Sequence, residues 1–292
     1  MAKLEDYFKN EETAGKIMKL IMPKSGLKSM LLQPSGEAFI LYVNNIPVIY
    51  FDGNAITEMY LLGAKELHHD WLPFDVVKDI RFLELPNVES IGDEVYLGGL
   101  QMVSAPKLIR VGDWCDISKE SQEFDAPSLK FVGKGFLRGA KNLKKLNVPN
   151  LEKAGSYFLE YNEELETLDL PKLEGSLCMC CRQNQKLSRV FAPKLQDIYD
   201  SFHVVTKLTI LDLPNVTEII DSFTSKCEIQ DVRLPKLTTI DRRVLSPSII
   251  EAYQRNEIAA DSTNFLRGIE TVQNASTIKT QEPQFIKDYR DR

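Results

Sequence analysis

Apolar positions in this chain recur at fixed distances from eight prolines, which follow one another every 20 to 22 residues. These prolines are Pro86, Pro106, Pro127, Pro149, Pro171, Pro193, Pro214 and Pro235. The third residue before each proline and the second residue after it are apolar in all eight copies. A fixed period in this range predicts a solenoid, in which one supersecondary unit stacks on copies of itself.

The repeating unit reads L-x-x-L-x-L-P-x-L-x-x-I-G-x-x-F, as in residues 143–158. Apolar and polar residues alternate before the proline, which predicts a short half-buried strand. Proline lacks the N–H that a parallel ladder needs, so it should end that strand and turn the chain. The L-x-x-I segment predicts a second short extended piece, and Gly92, Gly112, Gly133 and Gly155 would allow the corner that follows it.

The ninth residue after each proline is apolar as well. This position holds Val95, Cys115, Phe136, Phe158, Cys180, Phe202, Phe223 and Val244. The series predicts an aromatic-rich ladder along one edge of the core. A single unit is too small to bury its own apolar face, so neighbouring units must stack and the two ends of the stack need caps.

These repeats resemble the BspA-like class of leucine-rich repeats, the type found in bacterial and protozoan surface antigens. The family pattern I-x-I-P-x-x-V-x-x-I-G-x-x-A-F is matched by residues 211–223, and its G-C-x-x-L turn is echoed by residues 139–143. The resemblance covers residues 78–245. It implies a leucine-rich repeat solenoid with a parallel β-sheet on one face and mostly β or irregular structure elsewhere. Two departures are the replacement of the turn cysteine in most copies and the lack of a recognisable signal or anchor.

The segments that flank the repeats are interpreted as caps. Apolar residues at helical spacing in residues 4–22 predict a helix that ends before Pro23, and residues 37–51 predict a hairpin around Asn44 and Asn45. The chain is therefore divided into an α/β N-terminal cap (1–55), a solenoid of one degenerate and eight regular repeats (56–245), and a C-terminal segment (246–292). The C-terminal segment should hold short helices after Ser248 and Asp261, then a polar tail from residue 274. The alternative for residues 1–55 is a separate functional module.

Composition and charge narrow the classes of function. The chain has 43% hydrophobic and 27% charged residues, which is typical of a folded soluble protein. A net charge of −6 does not favour a nucleic-acid-binding face. No apolar run is long enough for a secretory signal or a membrane span, so a cytoplasmic location is expected. Export by a non-classical route or delivery into a host is compatible with the same features.

The sequence offers little catalytic chemistry. Cys115 and Cys180 lie at the core ladder position, whereas Cys178 takes a position held elsewhere by aspartates, so its thiol is expected to face solvent. The cysteines at 178, 180 and 181 lack the paired spacing of a zinc site, and His68 and His69 are adjacent residues, which in a strand point to opposite faces. No phosphate loop, nucleophile elbow or zinc-protease motif is present. We expect no enzymatic activity, no metal and no cofactor.

The polar positions of the strands predict a binding surface. Two residues before the prolines stand Glu84, Ser104, Asp125, Asn147, Asp169, Phe191, Asp212 and Arg233. The row beside it holds Phe82, Met102, Glu123, Lys145, Thr167, Arg189, Ile210 and Asp231. Acids interspersed with apolar residues on the concave sheet favour contact with a basic or mixed partner. The candidate contact residues are Phe82, Glu84, Met102, Asp125, Asp169, Phe191, Ile210 and Asp212. The alternative is a solvated edge whose acids block aggregation.

The sequence thus predicts a non-enzymatic scaffold that binds a protein partner through its concave sheet. A surface adhesin or an effector exported without a recognisable signal is the alternative. An effector enzyme in the manner of leucine-rich-repeat ubiquitin ligases is a third hypothesis, but only about 47 residues follow the repeats, too few for an ordinary domain. Imperfect caps would also allow two copies to associate end to end.

Overall fold

The structure is a computed structural model. It describes residues 11–22, 29–35, 38–52, 55–68, 80–97, 99–115, 120–202, 205, 207–220, 231–234, 236–237 and 239–240. The start of the predicted N-terminal helix, Phe223, Val244 and the predicted C-terminal helices and tail lie outside the described residues. The division into cap, solenoid and C-terminal segment stays a prediction.

A short helix and three antiparallel strands precede the stacked repeats. The helix α1 is Glu11–Ile21, and it buries Ile17, Leu20 and Ile21 on one face. The strands are β1 (Met30–Ser35), β2 (Ala38–Val43) and β3 (Ile46–Asp52). The predicted hairpin is β2–β3, and its two turn residues, Asn44 and Asn45, have positive φ angles of 51° and 63°, as a type I′ turn requires. The pairing of β1 with β2 was not predicted.

The repeats form coils that each contribute one strand to each of two sheets. The strands before the prolines are β4 (Ala55–Tyr60), β6 (Phe82–Glu84), β8 (Met102–Ser104), β10 (Glu123–Asp125), β12 (Lys145–Asn147), β14 (Thr167–Asp169), β16 (Arg189–Phe191), β18 (Ile210–Asp212) and β20 (Asp231–Arg233). The second strands are β5 (Glu66–Leu67), β7 (Ser90–Ile91), β9 (Arg110–Val111), β11 (Phe131–Val132), β13 (Lys153–Ala154), β15 (Gly175–Cys178), β17 (Leu195–Tyr199), β19 (Glu218–Ile220) and β21 (Thr239–Ile240).

Equivalent strands of successive coils pair in parallel on each side of the junction between coil 4 and coil 5, and the described coils form a leucine-rich repeat solenoid. The coils are numbered here by their prolines, so that coil 1 contains Pro86 and coil 8 contains Pro235. Strands β4 and β5 pair in parallel with coil 1, which puts them where the degenerate repeat was expected. Because β4 also pairs antiparallel with β3, the N-terminal hairpin continues the sheet of the first strands.

Each described proline turn is closed by a hydrogen bond. The N–H of the second residue after the proline donates to the carbonyl of the residue before it, as from Leu108 to Ala105 and from Leu151 to Val148, at 3.1 Å each. Proline suits the second position of such a turn, since its fixed φ matches and its missing N–H is not needed there. The predicted end of the strand is therefore confirmed.

Gly112, Gly133 and Gly155, which follow the second strands at the predicted corners, leave no room for a side chain. Gly112, Gly133 and Gly155 do not have positive φ. A Cβ at Gly155 would lie 2.6 Å from the backbone of Gly133 in the coil before, and Gly112 and Gly133 are as tightly placed. Glycine is thus needed because two coils approach closely at this corner, not because the chain turns left-handed there.

The core runs through the coils as one continuous column. Val95, Cys115, Phe136, Phe158, Cys180 and Phe202 are all at most 3% exposed, which confirms the described part of the predicted ladder. The rings of Phe136 and Phe158 stack with centroids 6.1 Å apart. Burying a side chain of this size contributes about 1.5–3 kcal/mol, against about 0–1 kcal/mol for an exposed ion pair. The column, rather than the surface ion pairs, therefore holds the coils together.

Both sheets are interrupted at the same junction, between coil 4 and coil 5. The first sheet ends at β12 and a separate one starts at β14, while the second sheet ends at β13 and a separate one starts at β15. The inward residues at this edge, Leu146 and Ala154, are only partly buried. We call this junction the seam. Backbone bonds at the turns still cross it, from Cys181 to Phe158 (2.8 Å) and from Glu174 to Glu152 (2.9 Å).

Candidate functional site

The candidate residues from the sequence lie on one exposed surface, which we call the strand face. It consists of the outward side chains of β6, β8, β10, β12, β14, β16, β18 and β20. The register pairs Phe82 with Met102 and Glu84 with Ser104, and Ser104 in turn with Asp125. Farther along, Phe191 lies between Asp169 and Asp212, and Ile210 lies beside Arg189. The two expected rows therefore exist within each block of strands.

The apolar candidates on the strand face are accessible. Met102 is 39% and Ile210 is 37% exposed, whereas Phe82 and Phe191 are half-buried. The middle residues of β6, β8, β10, β14, β16 and β18, such as Val103 or Leu211, point inward and are buried. The burial alternates because successive side chains of a strand point to opposite faces. Large apolar side chains thus stand beside acids on a rigid surface.

The acids of the strand face differ in whether a neighbouring side chain already binds their carboxylate. Asp212 lies 3.8 Å from the Arg233 guanidinium, and Asp125 accepts a hydrogen bond of 2.6 Å from the Asn147 amide. Asp169 is exposed and forms no ion pair within the described residues. Its carboxylate is therefore the one best placed to meet a cation from outside.

The seam divides the strand face into two halves. Phe82, Glu84, Met102 and Asp125 lie on the side of coils 1 to 3, and Asp169, Phe191, Ile210 and Asp212 lie on the side of coils 5 to 7. The repeat pattern does not predict this division, because the repeats on either side are both 22 residues long.

The prediction that Cys178 faces solvent is wrong. Its side chain is only 7% exposed. Strand β15 is longer than its equivalents in the coils before, with a register shift between Gly175 and Ser176, and it pairs Cys178 with Tyr199 of the next coil. The corresponding aspartates of coils 1 and 2 lie in turns instead. Cys178 is therefore a covered strand residue.

The other described cysteines are free and buried, as expected for core residues. Burial raises the pKa of Cys115 to about 11 and that of Cys180 to about 12, and it raises the pKa of Cys181 well above its ordinary value. These thiols are therefore neutral near pH 7 and poor nucleophiles.

Histidine chemistry has little support in the described residues. The Nε2 atom of His68 lies 3.5 Å from Glu66, and both side chains are largely exposed, while His69 is outside the described residues. Within the described ranges, no three His, Cys, Asp or Glu side chains are grouped so that they could hold a metal ion. The described helix is also too short for a membrane span.

A cleft of about 490 Å³, which the sequence did not predict, lies on the turn side of coils 1 to 4. We call it the turn-edge cleft. It is lined in part by Tyr96, Trp114, Arg138, Lys141 and Tyr161. These residues occupy different repeat positions, eight to fourteen residues after a proline, so no single column of the repeat pattern brings them out. The only sign of the cleft in the sequence is that aromatic residues in coils 2 and 4 take positions that hold glycine in coil 3.

Comparisons with known proteins identify no activity for this chain. No family model and no curated protein matches the chain. Among solved structures, it is similar to a leucine-rich cell surface protein from Faecalibacterium prausnitzii A2-165, with 15% identity and a TM-score of 0.42. The match covers 74% of this chain and 56% of that one, so this chain spans little more than half the length of that protein. The assignment to the BspA-like class stays a prediction from the repeat pattern.

Proposed function

We propose that this chain is a non-enzymatic protein-interaction scaffold that binds a protein partner through the strand face. The main support is the register of the strands, which sets exposed apolar side chains next to carboxylates in rows on each side of the seam. Met102 and Ile210 are each more than a third exposed although they are large and apolar. Apolar side chains of this kind provide contact area, and the acids around them select the charge of the partner.

The partner that suits this surface is basic or mixed in charge. Asp169 is exposed and lies beside Phe191, so a cationic side chain can meet its carboxylate while an apolar one packs on Phe191. Strands are also a rigid support for a contact surface, because each is paired to its neighbours by backbone hydrogen bonds.

The proposal predicts that reversing two charges abolishes binding. The double variant Asp169→Lys, Asp212→Lys places two cations where a basic partner would dock. The purified chain is used as bait in a lysate of the source organism, and the retained proteins are identified by mass spectrometry. We expect the unsubstituted chain to retain a partner that the double variant loses, at unchanged circular dichroism and thermal midpoint. Retention should also weaken with added salt, since the charges are exposed.

A matched control carries the same charge change on another surface. Glu152 and Glu174 lie next to the second strands, and each forms an exposed ion pair with a lysine. The double variant Glu152→Lys, Glu174→Lys should keep the partner. An identical capture profile for all three proteins would refute binding through the strand face.

A further inference from the structure

The turn-edge cleft lies where coil 3 has glycines at two positions that hold an aromatic residue in coil 4. The eighth residue after the proline is Trp114 in coil 2, Gly135 in coil 3 and Tyr157 in coil 4. The twelfth is Gly139 in coil 3 and Tyr161 in coil 4. A Cβ at Gly139 would meet no atom within 4 Å, so the floor of the cleft is open at this point.

The first wall of the cleft is Trp114, whose ring bridges coil 3 and packs against Tyr157 behind it. The Trp114 ring lies directly over Gly135, where an added Cβ would be 2.6 Å from ring atom Cε3. Because nothing protrudes from Gly135, the ring reaches across to Tyr157, with centroids 5.6 Å apart and planes tilted by 35°. Trp114 still remains 39% exposed. It therefore presents a fixed apolar surface to solvent.

The second wall carries an arginine held in place from below. The Arg138 Nε donates a hydrogen bond of 2.7 Å to Glu160, whose side chain is 2% exposed and lies 3.6 Å from Arg182 on its other side. The Arg138 guanidinium also lies 5.6 Å from the Tyr157 ring centroid and 5.7 Å from that of Tyr161. These contacts fix the guanidinium in position while 46% of the side chain stays exposed.

Because Arg138 binds Glu160 through Nε, its two terminal nitrogens can donate hydrogen bonds to another acceptor. Its hydrogen bond in the described structure runs through Nε, and the paired terminal nitrogens are the part of a guanidinium that binds a carboxylate through two parallel bonds. Lys141 adds a second cation at the rim, 67% exposed and 3.7 Å from Glu163. Glu94 is the acid among the lining residues. The cleft thus combines aromatic walls with two accessible cations.

We propose that the turn-edge cleft is a second binding site, separate from the strand face, that takes an acidic peptide segment of a protein partner. An apolar or aromatic side chain of that segment packs against Trp114 and Tyr161. A neighbouring Asp or Glu carboxylate binds the Arg138 guanidinium. The volume of about 490 Å³ fits a few side chains rather than a whole domain. Trp, Tyr and Arg are also the residues that most often dominate binding energy in protein interfaces.

The test uses the full chain and three immobilised probe peptides in surface plasmon resonance. The peptides are biotinylated Gly-Glu-Phe-Glu-Gly, its basic counterpart Gly-Lys-Phe-Lys-Gly, and Gly-Glu-Ala-Glu-Gly without the aromatic residue. We expect the first peptide to bind and the other two to bind at least about tenfold more weakly, because each lacks one of the two interactions.

Two substitutions locate the binding. Trp114→Ala removes the aromatic wall, and Arg138→Lys keeps a cation beside Glu160 but loses the paired donors. Each should weaken binding of the first peptide about tenfold or more. The control is Phe131→Ala, which removes a 36% exposed aromatic residue from β11 in the second sheet and should leave the affinity unchanged. Circular dichroism checks that every variant is folded.

Several results would overturn this proposal. These are equal binding of the acidic and basic peptides, equal binding of the peptide without phenylalanine, unchanged affinity after Trp114→Ala in a folded protein, and no binding up to about 1 mM. The strand-face variant Asp169→Lys, Asp212→Lys should bind the first peptide as the unsubstituted chain does. The two proposed sites can therefore fail independently.

Discussion

At the scale of single residues, the identity of a side chain is decided by how much room the neighbouring coil leaves. Gly112, Gly133 and Gly155 face backbone of the preceding coil and have no space for a Cβ. Two residues farther along, Glu94, Trp114 and Tyr157 have positive φ angles of 55° to 61° although none is glycine. In this left-handed row, inter-coil bonds such as that from the Trp114 N–H to the Lys134 carbonyl (2.7 Å) offset the strain.

Burial at this scale makes a prediction about the thiols. In a Cys227→Ser variant, the remaining cysteines are Cys115, Cys178, Cys180 and Cys181, all buried. At about pH 8, where an ordinary thiol is partly ionised, we expect slow reaction with Ellman's reagent in the native protein and fast reaction in concentrated urea. Native labelling of Cys115 should accelerate as the pH rises toward its raised pKa of about 11, because the thiolate is the reactive form. A rapidly reacting thiol at Cys178 in the native protein would show that its burial is wrong.

At the scale of elements, paired strands dominate the structure and the seam is where the pairing stops. The residue before each proline usually donates its N–H across to the next coil, as Ala105 does to Asp125 (3.0 Å) and Leu170 does to Phe191 (2.8 Å). The corresponding bond from Val148 to Asp169 is missing from this series. Core packing and the turn bonds continue through the junction, so the seam is a local loss of sheet rather than a separation of two domains.

The seam predicts a local difference in amide hydrogen exchange measured by NMR. The amides that should exchange fast are those at the facing strand edges, Leu146, Val148, Thr167 and Asp169. The equivalent amides in paired strands, Phe124, Ala126, Arg189 and Phe191, serve as internal controls. We expect lower protection at the first set, because their N–H groups lack a strand partner. Equal protection in the two sets would mean that the sheets are continuous in solution.

At the scale of the whole molecule, a solenoid has two open ends, and the described hairpin and helix lie beside the strands that precede coil 1. Strand β3 pairs along β4, and the Gly63 and Ala64 N–H groups donate to the Leu20 carbonyl at the end of α1 (2.8 and 3.1 Å). Ile17, Ile21, Ile49 and Phe51 are at most 1% exposed in this arrangement. That the N-terminal residues serve as a cap stays a prediction.

Removal of this cover tests the interpretation. A chain that begins at Ala55 would expose the edge of β4 and the apolar residues beneath the hairpin. Unpaired strand edges promote association, so we expect concentration-dependent oligomers in analytical ultracentrifugation and a lower thermal midpoint. The full chain at the same concentrations is the control. A shortened chain that remains a folded species with unchanged association would show that residues 1–54 are a separate module.

Much of the fold follows from the sequence because its determinants are local. The proline turn, the alternation of the first strand and the inward position nine residues after the proline each depend on a few neighbouring residues, and the structure confirms all three. The strand-face rows follow from the same register, so Met102 and Asp169 lie where the repeat pattern puts them. Their role in binding stays a prediction.

The tertiary structure decided the features that depend on residues about 20 positions apart. Whether Cys178 is covered depends on Tyr199 in the next coil and on a register shift at Gly175. The turn-edge cleft depends on Trp114 meeting Tyr157 across Gly135. A repeat pattern shows which positions are equivalent. It does not show how close two particular coils come, because their side chains differ in size and their packing is determined only when the coils stack.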